Sequence, residues 1–316
     1  MRQRAYNEGQ YLQCIENSER VTWKISEVLP DDYVFNFDRP FAPSLLTGEG
    51  ELHFLNDRDR LIFSQIWGPT YLNLFAFVEE YITLFALNLA TESTFKEALK
   101  FRAYVRFSEE EIKHQALFRK YVKMFNESFI GPCCFIENSQ EVASLILSNS
   151  KLCVLLLTYH LEIVTQDHYK TCIDPVENVD EKFKEILKKH WLEEVQHAKI
   201  DLMKLEDEFF ESGEEEFLNS IDEYFNILEL FVSVISEQVK LSYQSLLDHT
   251  TNLEYYGTQN FKDQYFQKQV QAYFDCFIVK GLENQIFLGS IESFSKNGIE
   301  KIKEKTKVLK LKIMGK

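Results

Sequence analysis

All six prolines of this chain, Pro30, Pro40, Pro43, Pro69, Pro132 and Pro175, lie at or before Pro175. Proline fixes φ and removes a backbone donor, so it interrupts helices. The whole of the chain beyond Pro175 is therefore free to form long helices. From about Asp57 onward, apolar residues recur with the helical period. The pattern predicts helices at roughly 57–90, 93–126, 139–172, 179–211, 214–249 and 259–294. Breaks fall at Thr91–Glu92–Ser93, Gly131–Pro132, Asp174–Pro175, Gly213 and Gly257, which are ordinary stop and cap signals. No stretch alternates strongly enough to build a sheet, so the fold class is all-α.

The two ends read differently. Residues 1–56 hold three of the prolines, the pair Asp31–Asp32 and the run Gly48–Glu49–Gly50. They are expected to form an irregular N-terminal arm, with one short helix near residues 10–20, wrapped on a helical domain of residues 57–295. Residues 296–316 carry eight lysines and two glutamates, a local charge of +6. A solvated tail or fraying helix is the plain reading. A docking segment for an acidic partner or a membrane surface is the other.

Apolar residues make up 45% of the chain and aromatics 14%, enough to build a sizeable core. The net charge of −15 argues against a nucleic-acid surface, which needs cations to displace counterions from phosphates. The six cysteines show no CxxC spacing, and Cys133–Cys134 reads as packed filler. The N-terminus has no apolar signal core behind it. No stretch approaches 18 uncharged apolar residues, so no membrane span is expected. Together these features predict free thiols and a cytoplasmic setting.

Two Glu-x-x-His motifs carry the chemistry: Glu111–His114 and Glu194–His197. On a helix, residues three apart share a face, so a carboxylate and an imidazole so placed can hold one metal together. Seven histidines and 36 glutamates in 316 residues give about 0.8 such motifs by chance, so the motifs alone decide little. Their spacing to upstream acids decides more. The step from Glu80 to Glu111 is 31 (111 − 80), and that from Glu162 to Glu194 is 32 (194 − 162). Glu79 competes with Glu80, which is taken because 31 lies close to 32. Each upstream acid interrupts an apolar helical stretch, Leu72–Leu89 in one case and Leu152–Val164 in the other. The chain thus contains one unit twice, a helix with a buried Glu and then a helix with Glu-x-x-His. The two copies are offset by 82 at the first acid and by 83 at the motif (162 − 80 and 194 − 111).

Carboxylates on apolar helix faces are costly to ionise unless paired or metal-bound, and facing one another they repel. Two divalent cations remove that cost, and a carboxylate–imidazole set suits iron or manganese. His190, Glu194 and His197 fall within an arc of about 60° on one helix, so His190 is a seventh candidate ligand. Glu110 and Glu193, the outer members of each Glu–Glu pair, are either supporting groups or solvent-facing neighbours. His160 and His168 read as packing or surface histidines. Asp201 reads as either an orienter of an imidazole or a surface residue.

The order Glu … Glu-x-x-His … Glu … Glu-x-x-His across residues of about 70–200 resembles the ferritin-like di-iron superfamily. The run from His190 to His197 is similar to the p-aminobenzoate N-oxygenase family, whose di-iron site carries an additional histidine. The resemblance implies a ferritin-like four-helix bundle with additional C-terminal helices. It implies two irons, or manganese or a mixed pair, held by Glu80, Glu111, His114, Glu162, His190, Glu194 and His197. Glu111 and Glu194 would bridge the metals as the catalytic carboxylates. Activation of O2 for oxygenation of a small organic substrate, an arylamine among the candidates, would follow. Electrons would come from an external donor, since the chain has no Gly-x-Gly-x-x-Gly fingerprint. An aromatic-lined pocket is expected near the metals, with Phe77, Phe107, Phe118, Tyr104 and Tyr159 as candidates. A group of predicted metal-dependent hydrolases has a similar His-x-x-Glu-Glu-x-x-His run. Acyl-carrier-protein desaturases share the doubled Glu-Glu-x-x-His look but lack the additional histidine. Ribonucleotide reductase small subunits usually carry a radical tyrosine where this chain has Phe118. An iron-binding or storage protein of ferritin fold is the non-enzyme alternative. A homodimer interface is one role open to the helices after residue 214.

Overall fold

A computed structural model of the chain describes residues 8–93, 97–250 and 252–313. The first part of the expected arm, 1–7, and the last part of the expected tail, 314–316, lie outside the described residues. The long elements are α1 (Glu8–Val21), α2 (Asp57–Glu92), α3 (Ala98–Ser128), α4 (Ser139–Leu147), α5 (Lys151–Asp167), α6 (Glu181–Ser212), α7 (Glu214–His249), α8 (Gln259–Phe274), α9 (Gln285–Phe294) and α10 (Lys296–Ile313). Short helical turns join them, and no described residue forms a strand.

Local sequence sets several of the helix starts. Asn56 caps α2 by accepting from the Asp59 amide, Ser150 caps α5 through Cys153, and Asp180 caps α6 through Phe183. Each such cap satisfies an otherwise orphaned N–H and contributes about 1 kcal/mol. The Ser150 cap divides the helix expected over 139–172 into α4 and α5. The Asn284 side chain caps α9 by accepting from the Ile286 and Phe287 amides, and so divides the one expected over 259–294. Gly213, at φ 91°, is the single residue between α6 and α7. A side chain is strained in that region, so this reversal calls for glycine.

The antiparallel pair α2–α3 and the pair α5–α6 form the centre, joined by contacts between α3 and α6. The helix α7 packs against both α2 and α5, and α8 and α10 pack on α7. The helices after residue 214 therefore complete the core of this chain. Within α2, an 18-residue window is apolar and long enough to cross a membrane, yet 67% of it is buried inside the protein. Trp67 of α2 shows what covers it: its ring stacks 4.1 Å from Tyr273 and its Nε1 donates to Gln269 Oε1 at 2.9 Å.

The short helix expected near residues 10–20 is present, and the basic end is helical as well. The arm carries α1, whose Tyr11, Cys14, Ile15 and Ser18 are buried against α3 and α6. The basic segment from Lys296 is helix α10, with Ile299, Ile302 and Leu309 buried. Its lysines meet acids contributed from far along the chain: Lys301 and Lys305 bond Asp222, Lys310 bonds Glu283 and Lys312 bonds Glu229. An apolar stripe every three to four residues makes the described part of the segment a packed surface helix.

Two π-helical turns, His168–Ile173 after α5 and Asp275–Val279 after α8, bring the ends of these helices together. Gly281, just beyond the second turn, lies against α5. A Cβ there would come within 2.3 Å of His160 Nε2 and 2.5 Å of Val164 Cγ2. His160 cannot retreat, because its Nδ1 bonds the Tyr224 hydroxyl. Gly281→Ala should therefore cost about 1–3 kcal/mol, the usual penalty of overpacking. Urea unfolding would read this as a lower midpoint at unchanged m-value, and an unchanged midpoint would contradict the close approach.

Candidate metal centre

Glu79, His114, His190 and Glu194 form one group of potential ligand atoms, and Glu111, Glu162, Glu194 and His197 form a second. Within each group the atoms lie within 4.8 Å of one another. Glu194 belongs to both. Each of these residues is at most 3% exposed. They come from α2 (Glu79), α3 (Glu111, His114), α5 (Glu162) and α6 (His190, Glu194, His197).

The expectation of Glu80 is corrected to Glu79. Glu80 turns outward and pairs with the half-exposed Arg119. The register of α2 is set by hydrogen bonds at Glu79: Gln115 Nε2 of α3 donates to the Glu79 carbonyl at 3.1 Å and to Thr83 Oγ1 at 2.8 Å. Successive helical residues point about 100° apart, so with Glu79 inward Glu80 must leave the site. The repeat also becomes regular. Glu79, Glu111 and His114 are each offset by the same step, 83, from Glu162, Glu194 and His197 (162 − 79, 194 − 111 and 197 − 114).

The remaining candidates are brought together. His190 Nε2 lies 2.7 Å from Glu194 Oε1 and 3.0 Å from Glu79 Oε1. His114 Nδ1 lies 3.2 Å from Glu194 Oε1. His197 Nδ1 lies 2.8 Å from Glu111 Oε1 and 3.1 Å from Glu194 Oε2.

The outer glutamates cross over between helices. His114 Nε2 of α3 bonds Glu193 Oε2 of α6 at 2.8 Å, while His197 Nε2 of α6 bonds Glu110 Oε2 of α3 at 3.0 Å. Each doubled Glu-Glu thus supplies one carboxylate to the cluster and another that fixes the opposite imidazole. A carboxylate on the far nitrogen sets the tautomer and aims the near nitrogen inward. Cations of α3 hold these carboxylates: Lys113 bonds Glu193 Oε1 at 2.5 Å, and Arg106 Nε lies 3.4 Å from Glu110 Oε1. The arm adds Ser18, which also bonds Glu110, and Trp23, whose ring stacks 6.0 Å from His114 at 15°. Phe107 stacks on His197 at 3.9 Å. Ser18 and Trp23 carried no local signal in the sequence, since their partners lie on a helix far along the chain.

The electrostatics show how much positive charge this cavity calls for. Burial and the Glu194 carboxylate push Glu111 up to about 7. The same two causes raise Glu162 well above the ordinary carboxylate range. Burial would raise Glu194 as well, but His190 and His197 overcome it and hold that carboxyl well below its usual range. Burial would lower His114 and His197, yet both rise well above the ordinary imidazole: Glu193 and Glu194 act on the first, Glu194 and Glu110 on the second. Protons on imidazoles stand where cations would otherwise neutralise the carboxylates, so metal uptake here would release protons. The buried polar atoms without a hydrogen bond include Glu79 Oε2, both Glu111 oxygens, His114 Nδ1, Glu162 Oε2, His190 Nδ1 and Glu194 Oε1. Buried polar atoms are seldom left unpaired. Seven of the sixteen such atoms among the described residues belong to the two groups, and hard oxygen and imidazole nitrogen donors gathered in this way fit divalent metal ions.

Asp201, one turn beyond His197, is buried, and burial raises its carboxyl well above the ordinary range. His160 and His168 lie outside the two groups. His168 Nε2 must donate to the Cys276 carbonyl at 2.8 Å, which leaves Nδ1 to accept from the Tyr71 hydroxyl at 2.7 Å.

Beside the cluster, where α7 meets α2 and α5, lies an apolar cavity of about 50 Å³. Phe75, Phe77, Leu161, Val164, Phe231 and Phe277 are among its walls. Phe75 connects it to the cluster, with its ring 5.4 Å from that of His190. Of the other aromatic candidates, Phe118 packs 5.0 Å from His190, whereas Tyr104 and Tyr159 are buried elsewhere in the core. No protein-family model, curated protein or solved structure matches this chain.

Proposed function

We propose that this chain is a non-haem di-iron oxidoreductase that activates dioxygen to oxidise a small organic substrate, an arylamine being one candidate. In this reading α2, α3, α5 and α6 form a ferritin-like four-helix bundle, and α7 to α10 are additions to it. The observation that carries the reading is the pair of ligand groups sharing Glu194 in a cavity rich in orphaned polar atoms. Glu79, His114 and His190 would hold one ion, Glu111, Glu162 and His197 the other, with Glu194 common to both. Two irons, when bound, would supply the redox chemistry that dioxygen requires.

The chain's own residues have separable tasks. Glu193 and Glu110 keep His114 and His197 oriented, which preserves the geometry through redox change. Trp23, Phe107 and Phe118 exclude water from the imidazole side. The apolar cavity behind Phe75 has room for a diatomic gas or a few heavy atoms, so a larger substrate requires side chains there to move. That cavity favours an enzyme over an iron store, which would need a hydrophilic route.

The test is oxygen uptake. Protein loaded anaerobically with ferrous iron should consume dioxygen on mixing, faster with a bound arylamine and a reductant than without. Glu194→Ala should consume no more than buffer with the same iron. Uptake equal in the two proteins would sink the proposal.

A further inference from the structure

A second reactive pair lies away from the glutamate–histidine cluster. Lys280 Nζ lies 2.6 Å from Cys172 Sγ. This is closer than nitrogen and sulfur approach in van der Waals contact, and closer than an N–H···S hydrogen bond normally brings them. It matches the span of two single bonds meeting at one oxygen-sized atom. Each partner belongs to, or directly follows, one of the π-helical turns: Cys172 lies in His168–Ile173 and Lys280 follows Asp275–Val279. Single π turns inside helical runs often mark functional positions. Here they aim two side chains from distant parts of the sequence at each other.

We propose that Lys280 and Cys172 are joined by a reversible covalent N–O–S link, one oxygen atom bridging Nζ and Sγ. The surroundings suit the chemistry. Cys172 is buried, while the Lys280 side chain is 32% exposed. A surface cleft of about 450 Å³, lined by Asp167, Lys280 and Glu283 among others, gives an oxidant access. The neighbouring thiol, Cys276, is held elsewhere, its Sγ 3.3 Å from His168 Nε2.

The step balances with dioxygen as oxidant. Sulfur and nitrogen each give up two electrons, and an S–O and an N–O bond form as the O–O bond breaks. One oxygen atom stays in the bridge. The other leaves as water with one hydrogen from the thiol and one from the amine. Excess thiol would reduce the link back to free lysine and cysteine. The link would fasten the end of α5, the helix that carries Glu162, to the C-terminal helices.

Mass spectrometry of the full chain tests this. Protein purified in air without reductant, then alkylated and digested, should yield the Cys172 and Lys280 peptides joined. The pair should weigh the sum of the two plus one oxygen and minus two hydrogens, and dithiothreitol should separate it. Preparation under isotopically labelled dioxygen should add the label to the bridge. Cys172→Ser and Lys280→Arg should lack the pair, and Cys276→Ser should keep it. Should Cys172→Ser fail to fold, Lys280→Arg carries the comparison, since it keeps the cation. Separate peptides with Cys172 freely alkylated after exposure to air and to peroxide would overturn the proposal. So would a Cys172–Cys276 disulfide, which loses two hydrogens and gains no oxygen.

Discussion

Glu194→Ala should empty both metal positions, reducing bound iron from about two ions per chain to near zero. The effect follows from sharing: among the described residues, Glu194 is the one carboxylate that belongs to both groups. Removing it takes a donor from each ion and leaves His190 and His114 without the oxygen that faces them at 2.7 and 3.2 Å. Glu79→Ala should cost only the first ion. Glu80→Ala should retain both, because its carboxylate pairs with Arg119 outside the cluster. Glu193→Ala leaves the donors in place but frees His114 to rotate, which weakens metal binding by roughly 10- to 100-fold. Elemental analysis after anaerobic reconstitution separates these cases. Loss of metal in Glu80→Ala with retention in Glu79→Ala would reverse the assignment of α2, and a metal-free wild type would end the di-iron reading.

Metal loading should raise the melting temperature of the wild-type chain by roughly 5–10 °C. Each site saturated a hundredfold above its dissociation constant contributes about 2.7 kcal/mol, hence about 5 kcal/mol for two sites. For a chain of 316 residues one kcal/mol moves the midpoint by roughly 1–2 °C. The metal-free protein bears the cost of buried like charges, visible in the raised Glu111 and Glu162 carboxyls. Glu162→Gln should therefore melt no lower than wild type without metal, since the amide keeps the shape and is neutral without having to hold the proton that burial and Glu194 force onto the carboxyl. With metal it should gain about half as much, because Glu162 serves the second group alone. Differential scanning calorimetry with and without ferrous iron measures both. A wild type that gains nothing from metal, or a Glu162→Gln variant that gains as much as wild type, would contradict the assignment.

Much of this architecture was written locally. The caps at Asn56, Ser150, Asp180 and Asn284 use the residue types that terminate helices anywhere. The pairing of an apolar-embedded Glu with a Glu-x-x-His on the next long helix depends on spacing alone. The choice between Glu79 and Glu80 was not local. Both lie in the same apolar stretch, and the rotation of α2 that separates them depends on Gln115 and Arg119 of another helix. The crossing of Glu110 and Glu193 to the opposite histidines was equally hidden, because it requires α3 and α6 side by side. The fate of the lysine-rich end turned on Asp222, Glu229 and Glu283, acids that a local count of charge does not see.

The sequence by itself determined that the chain is helical, where several of its long helices begin, and that one acid–imidazole unit occurs twice. Those properties depend on backbone propensity and on side-chain spacing within a turn or two, which act before the chain is packed. Tertiary structure alone decided which of two adjacent glutamates enters the cluster, which carboxylate braces which imidazole, and that Lys280 meets Cys172. Each of these is a contact between segments distant in sequence, set by how whole helix faces pack and rotate against one another.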